Sequence, residues 1–330
     1  LKKGLSTILQ PLVDVIVPVE HAFISRRNLK PGSYAIVDAA TQDALLATTT
    51  AKPTISSGGS ASNSIACASL IGVPCTYAGL VGEDKYGRMY HADFESVGVS
   101  SPNARVHNAR TGVCLSLITP DGERTMRTNL GVATDLDLTH IDENTIAASA
   151  WLLLEGHLLT AGERNISALC KGIEVANAHN TKVALNINSE FAALTQRDQV
   201  LAHFLPKIDM IIGNEPETIA LSQKDTPQAA FADLASRCPT VIVTCGKDGA
   251  LIQHEGKQLH VPAFTNNIQV VDSTGAGDTF TGVLLGGLAL GCSIDKAAQG
   301  AARLAAIIVS QAGARLPASA AQAWREVVQA

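Results

Sequence analysis

Apolar residues in this chain fall into two kinds of run, and the way they alternate sets the expected fold. Nearly continuous apolar runs at 151–155, 182–187, 209–213 and 240–244 predict strands buried on both faces. Longer stretches of helical period lie between and after them, at 163–179, 215–222, 227–237, 276–290, 294–310 and 318–328. Strands alternating with helices predict an α/β protein with a largely parallel sheet covered on both faces. Residues 249–261 predict an antiparallel hairpin turning at Glu255-Gly256. Nearer the N-terminus, 8–17 is β-branched and reads as one buried strand carrying Asp14. A helical stretch at 64–71 ends at Gly72, 76–81 reads as a strand, and 88–97 has helical period. Two segments break the alternation. Residues 18–55 are mixed and helix-poor, with a turn at Pro31-Gly32. Residues 113–119 and 124–129 flank Pro120-Asp121-Gly122-Glu123, a strong hairpin signal. Together they predict a small β-rich lid, from about 15–55 and 104–131, inserted into one domain spanning 1–330.

Composition narrows the function more than the fold. The 330 residues are 46% apolar and 17% charged, enough for a large core. A net charge of −5 argues against nucleic acid as a partner, because phosphate-backbone binding needs a basic surface. The seven cysteines show no C-x-x-C pair and no metal-ligand spacing, so reduced thiols and a cytoplasmic location are expected. Lys2-Lys3 precedes a short apolar stretch, but Asp14 and Glu20 follow without a small-residue cleavage site, so no secretory leader is expected. No apolar run is long enough to span a bilayer.

Four loops carry candidate chemistry. Val270 and Val271 read as the end of a strand, and in Asp272-Ser273-Thr274-Gly275-Ala276-Gly277-Asp278 after them small residues precede a helix. Unpaired N–H groups at a helix start carry the positive end of the dipole, and small residues let an anion approach them. The 275–277 backbone therefore reads as a phosphate cradle. Asp278 beside it reads either as a plain helix cap or as a base taking the proton of an attacking hydroxyl. Gly58 and Gly59, with Asn63, suit a polyol, because Asn63 both donates and accepts; Asp14 adds a charged acceptor. A glycine-rich loop before a capped helix explains the same residues. Asn214-Glu215-Pro216-Glu217 follows a strand at the carboxyl edge of the sheet, where open α/β folds bind ligands. Glu217 there reads as an anchor for the waters of a phosphate-bound Mg²⁺, or as the first turn of an ordinary helix. Thr244, Gly246 and Gly249 follow another strand and read as a nucleotide site or a simple turn. There is no G-x-x-x-x-G-K-[ST], no early dinucleotide fingerprint and no H-E-x-x-H, which excludes P-loop enzymes and argues against dehydrogenases and zinc peptidases.

These motifs, in this order and across nearly the whole chain, resemble the PfkB family of carbohydrate kinases, the ribokinase-like kinases. The 58–63 loop is similar to that family's first signature, 272–278 to its second, and Asn214 with Glu217 to its Mg²⁺/phosphate motif. The resemblance implies a three-layer α/β/α core with a β-rich lid and ATP-dependent phosphorylation of a sugar or nucleoside hydroxyl. It makes Asp278 the base and Gly275, Ala276 and Gly277 the anion hole. Asp14, Gly58, Gly59, Asn63 and Glu155 fall on the acceptor, Asn214, Thr244, Gly246 and Gly249 on ATP, and Glu217 on Mg²⁺. Asp272 and Thr274, with backbone near Gly313, fall on a K⁺ site. Some members of that family pair through their lids, so a monomer or a homodimer through the lid is expected. Ser273 replaces the usual Thr, and Gln10-Pro11 replaces a Gly-Asn-like pair. The 4% aromatic content leaves Phe23, Phe94, Phe191 and Tyr34 as candidates for stacking a nucleobase. The alternative reading is a non-catalytic sensor on the same fold.

Overall fold

The strand signals sort into two sheets in the computed structural model, which describes residues 2–103, 105–265 and 268–329. The larger sheet has nine strands, in the order Lys257–Val261, Ala250–His254, Thr240–Thr244, Met210–Asn214, Lys182–Asn186, Trp151–Glu155, Leu5–Ile8, Cys75–Ala78 and Val99–Ser100. All neighbours are parallel except at the hairpin edge, where Thr240–Thr244, Ala250–His254 and Lys257–Val261 pair antiparallel. Successive residues of its strands feed two separate cores. Leu153, Ala184, Ile212 and Ile242 pack into one, and Leu152, Leu154, Val183, Leu185, Val241 and Val243 into the other. A strand points alternate side chains to opposite faces, so this division gives the expected α/β/α layering. Helices Ser60–Leu70, Ala276–Ala289, Ile294–Ile308 and Ala320–Gln329 serve the first core. Helices Glu163–Ala178, Glu215–Ser222 and Pro227–Ala235 serve the second. Gly282 is where the helices starting at Ser60 and Ala276 touch: a Cβ there would lie 1.9 Å from the Ser64 carbonyl oxygen. That close approach brings the two helix starts together. No helix among the described residues is long and apolar enough to cross a membrane.

The smaller sheet has five strands, in the order Tyr34–Ile36, Arg124–Asn129, Val113–Ile118, Leu12–Pro18 and Thr54–Gly58. One face, with Val13, Val15, Val17, Leu115 and Leu117, is buried in the first core together with Ile24 and Leu45. The other face carries Asp14, Ile16, Met126, Tyr34 and Arg124. Ala104, the first residue of the expected second lid segment, lies outside the described residues.

Three expectations are corrected. Residues 8–17 are not one strand: Leu5–Ile8 belongs to the large sheet and Leu12–Pro18 to the small one. Pro11 has no N–H for a ladder, the Gln10 N–H turns to Glu155 Oε2 (2.8 Å), and Val13 N–H moves to the Gly112 carbonyl (2.8 Å). The helix-poor stretch 18–55 holds helices His21–Arg26 and Ala39–Ala47, stabilised by burying Ile24 and Leu45 on the small sheet rather than by local propensity. Val270 and Val271 form no strand and are 67% and 60% exposed. The large sheet already ends in its hairpin, and the Val271 N–H finds only the Val309 carbonyl at a helix end (2.8 Å).

Candidate active site

The parallel strands end at one edge, and the helices beginning at Ser60 and Ala276 point their N-termini at it. Two adjoining cavities open there. One, of about 340 Å³, is mostly apolar and includes Thr244, Gly246, Gly249, Phe264, Ala276 and Gly277 in its lining. The other, of about 150 Å³, is polar and includes Ser60, Asn186, Asn188, Asn214, Glu217 and Asp278. Thr244 and Gly277 line both, so the 275–277 turn sits at their junction.

Asp278 is partly buried, in the first turn of the helix Ala276–Ala289. Asn63 Nδ2 donates to its Oδ2 (2.9 Å) and Ser60 Oγ to its Oδ1. Ser60 Oγ in turn accepts from Asn188 Nδ2 (2.6 Å). Desolvation pushes the Asp278 carboxyl up to about 6; the bonds from Ser60 and Asn63 oppose the rise and the Glu155 charge adds to it. A carboxyl in that range is ionised at neutral pH yet basic enough to take a proton. The helix-cap reading does not describe it, because Gly275 occupies the cap position. Within the 275–277 turn, Ala276 spends its N–H on the Ser273 carbonyl (3.3 Å), which leaves Gly277 nearest the junction of the cavities.

Asp14 lies across the ladder from Ser56 and Cys114. A Cβ on Gly58 would fall 2.0 Å from Asp14 Oδ2, so only glycine lets the two strands close around this carboxylate. Burial pushes Asp14 up to about 6; Arg315 and Arg124 pull against that, and Asp278 adds to it. Asn63 is buried, and its Oδ1 has no hydrogen-bond partner among the described residues; the same is true of Gln10 Nε2. Gln10 adjoins the loop through its carbonyl, which a Cβ on Gly59 would approach to 2.9 Å. Glu155 is fully engaged inside the protein: Oε2 accepts the Gln10 N–H and Oε1 meets His157 Nδ1 (2.9 Å). It therefore braces the break between the sheets.

Asn214 and Glu217 make a reciprocal cap. Asn214 Oδ1 accepts the Glu217 N–H (2.9 Å), and Glu217 Oε2 accepts the Asn214 N–H (3.0 Å). Both nevertheless line the polar cavity, so capping and cavity-lining coexist. Burial raises the Glu217 carboxyl, with the Asn214 N–H and His157 opposing. Asp272 Oδ1 accepts from the Thr274 N–H and hydroxyl (3.0 and 2.7 Å). Oδ2 pairs with Arg124 Nη2 (2.8 Å) and accepts the Gly313 N–H (3.3 Å). Burial pulls Asp272 up, but these partners hold it below the usual carboxylate range. Sequence reasoning singled out neither Ser60, Asn188, Arg124 nor Arg315. Ser60 stood inside a recognised loop; the others are lone polar residues with no spacing to flag them.

The fold and this convergence of loops define a phosphotransferase acting on an alcohol group of a sugar or nucleoside. The chain belongs to the PfkB family of carbohydrate kinases, whose pattern matches residues 33–321. It is 28% identical over 311 residues to an adenosine kinase of Schizosaccharomyces pombe, covering 87% of this chain and 88% of that one. Among solved structures, adenosine kinase from Sinorhizobium meliloti superposes with a TM-score of 0.90 at 26% identity, over 99% of both chains. A "probable sugar kinase protein" from Rhizobium etli gives a TM-score of 0.90 at 25% identity, over 98% of both.

Proposed function

We propose that this chain is an ATP-dependent nucleoside kinase acting on adenosine or a close analogue, with Asp278 as the base. The carrying observation is the contrast between the polar groups near Asp14 and the sheet face that carries it. Buried polar atoms without partners, Asn63 Oδ1 and Gln10 Nε2, suit the hydroxyls of a sugar. The open face of the small sheet, with Tyr34 55% and Ile36 58% exposed, offers apolar surface that a sugar alone does not need and a base does. The relatives named adenosine kinase support the same choice.

In this reading the nucleotide's base lies in the apolar cavity and its terminal phosphate reaches Gly277. The acceptor hydroxyl lies against Asp278, which takes its proton as the phosphoryl group moves in line. Ser60 and Asn63 orient the carboxylate, and the helix start at 275–277 meets the charge on the phosphoryl oxygens. The residues fit Mg²⁺: no group of three or more His, Cys, Asp or Glu among the described residues forms a metal cage. One buried carboxylate, Glu217, stands in a cavity rich in amide oxygens, which suits an ion held mainly by phosphate and water. When bound, Mg²⁺ would neutralise phosphate charge. Potassium is outside the proposal: both Asp272 oxygens already accept protein donors, and the Arg124 guanidinium supplies a positive charge beside one of them. Closure of the small sheet over the acceptor would exclude water. The seven free cysteines support a reducing compartment. The test is ADP release from ATP and Mg²⁺ with adenosine, inosine, ribose and fructose. Adenosine is expected to exceed ribose in kcat/KM by roughly 10²-fold or more, the scale of losing a whole base-binding surface. Ribose equal to adenosine would overturn the choice.

A further inference from the structure

The segment after the helix Ile294–Ile308 touches both halves of the site. Its Gly313 N–H donates to Asp272 Oδ2 (3.3 Å), and Ala314 packs on Gly275, where an added Cβ would lie 2.9 Å from the Ala314 Cβ. This part backs the anion-binding turn. The next residue, Arg315, crosses to the acceptor loop. Its Nη1 donates to the Ser62 carbonyl (3.2 Å) and its Nη2 to Ser57 Oγ (2.8 Å), with Asp93 Oδ2 at 3.5 Å. The guanidinium lies over the Phe94 ring, 4.8 Å from its centroid, and Ser57 Oγ also donates to Asp93. Ser57 and Ser62 bracket Gly58, Gly59 and Ser60 and stand next to Asn63. One planar fork thus grips the acceptor loop from both sides, a geometry lysine cannot copy.

We propose that Arg315 is a positioning residue that fixes the acceptor loop against the anion-binding turn. The proposal rests on the nucleoside-kinase reading above. Three charged groups act on Asp14: Arg315 from the C-terminal segment, Arg124 from the small-sheet hairpin and Asp278 from the helix start; Asp14 in turn raises the Cys114 thiol on the adjacent strand. Of these only the two arginines favour its charged form, so loss of Arg315 leaves Arg124 alone against burial and Asp278. The Asp14 carboxyl would then rise further, and acceptor binding would fail at a higher pH.

The test compares full-length wild type, Arg315→Met, Arg315→Lys and Ser57→Ala, each checked by thermal unfolding. Steady-state kinetics are run with adenosine and ATP, and adenosine affinity is measured by calorimetry. Arg315→Met is expected to raise the adenosine KM and Kd about tenfold or more, the scale of a lost charge-assisted hydrogen bond. The ATP KM should stay within about twofold, and the acid limb of kcat/KM for adenosine should move up by roughly one pH unit. Arg315→Lys should keep the wild-type acid limb and still raise KM, separating charge from geometry. A folded Arg315→Met with wild-type adenosine KM and acid limb, or with equal losses for ATP and adenosine, overturns the proposal. Should Arg315→Met not fold, Ser57→Ala decides: a KM raised a few-fold supports the grip and an unchanged one overturns it. Wild type that phosphorylates none of the alcohols fails the kinase reading itself, and the calorimetric series still judges Arg315.

Discussion

The two sheets bury their strands differently, and the site divides along the same line. The nine-stranded sheet is packed on both faces, and its contributions to the site sit at strand ends and helix starts held by internal contacts, such as Gly282 against Ser64 and Asn186 Nδ2 on Thr281 Oγ1 (3.3 Å). The five-stranded sheet is packed on one face only. Its other face carries Asp14, Arg124, Tyr34 and Ile36, and an ion pair from Arg124 to Asp272 links it to the core. A group that must hold a reacting atom in place gains from the first kind of support. A group that selects an acceptor and then releases it gains from the second, where fewer contacts resist movement. On this account the large sheet governs the chemical step and the small sheet governs acceptor selection.

Substitutions on each side sharpen that division. Asp278→Asn should show the largest effect, a kcat lower by roughly 10²–10⁴-fold with adenosine affinity changed only a few-fold. The same variant should be more heat-stable at pH 7.5. The folded carboxyl, at about 6, stands above its ordinary 3.8, so its ionisation costs stability as pH rises through that interval. Removing the charge removes this cost, and the melting temperature should rise by a few degrees. Gly277→Val comes next. A Cβ at this position meets no heavy atom within 4 Å, so the fold should survive while the side chain blocks the phosphate, and kcat/KM for ATP should fall roughly 10²–10³-fold.

On the small sheet, Asp14→Asn should raise the adenosine KM about tenfold to a hundredfold and leave kcat within a few-fold. The proposed mechanism needs Asp14 and Asp278 both ionised, and both stand near 6. Activity should therefore be full above about pH 7 and fall as pH drops through 6. Arg124→Gln should have the smallest effect. Its ion pair is partly exposed, worth up to ~1 kcal/mol, so a few-fold change in KM is expected. If Asp14→Asn lowers kcat as Asp278→Asn does, the division between the sheets is wrong.

The same asymmetry explains what could be read from the chain. Strands packed on both faces leave continuous apolar runs, so 151–155, 182–187, 209–213 and 240–244 stood out with their helices. The small sheet left weaker traces. Pro11 divides one apolar run between two sheets, and the break shows only in contacts distant in sequence, such as Gln10 with Glu155, 145 residues away. Helix Ala39–Ala47 is held by Leu45 against a sheet whose five strands are drawn from residues 12–58 and 113–129. The site loops at 58–63, 214–217, 244–249 and 275–278 were visible because glycine and carboxylate spacing is local. Arg124, Asn188 and Arg315 act across 148, 128 and 253 residues of sequence, and no local pattern marks them.

Product analysis by ³¹P NMR, after incubation of wild type with ATP, Mg²⁺ and adenosine, tests the central claim most directly. The account expects a phosphorylated nucleoside to accumulate in step with ADP. ADP appearing with inorganic phosphate and no phosphorylated nucleoside, or no ATP consumption at all, would contradict it.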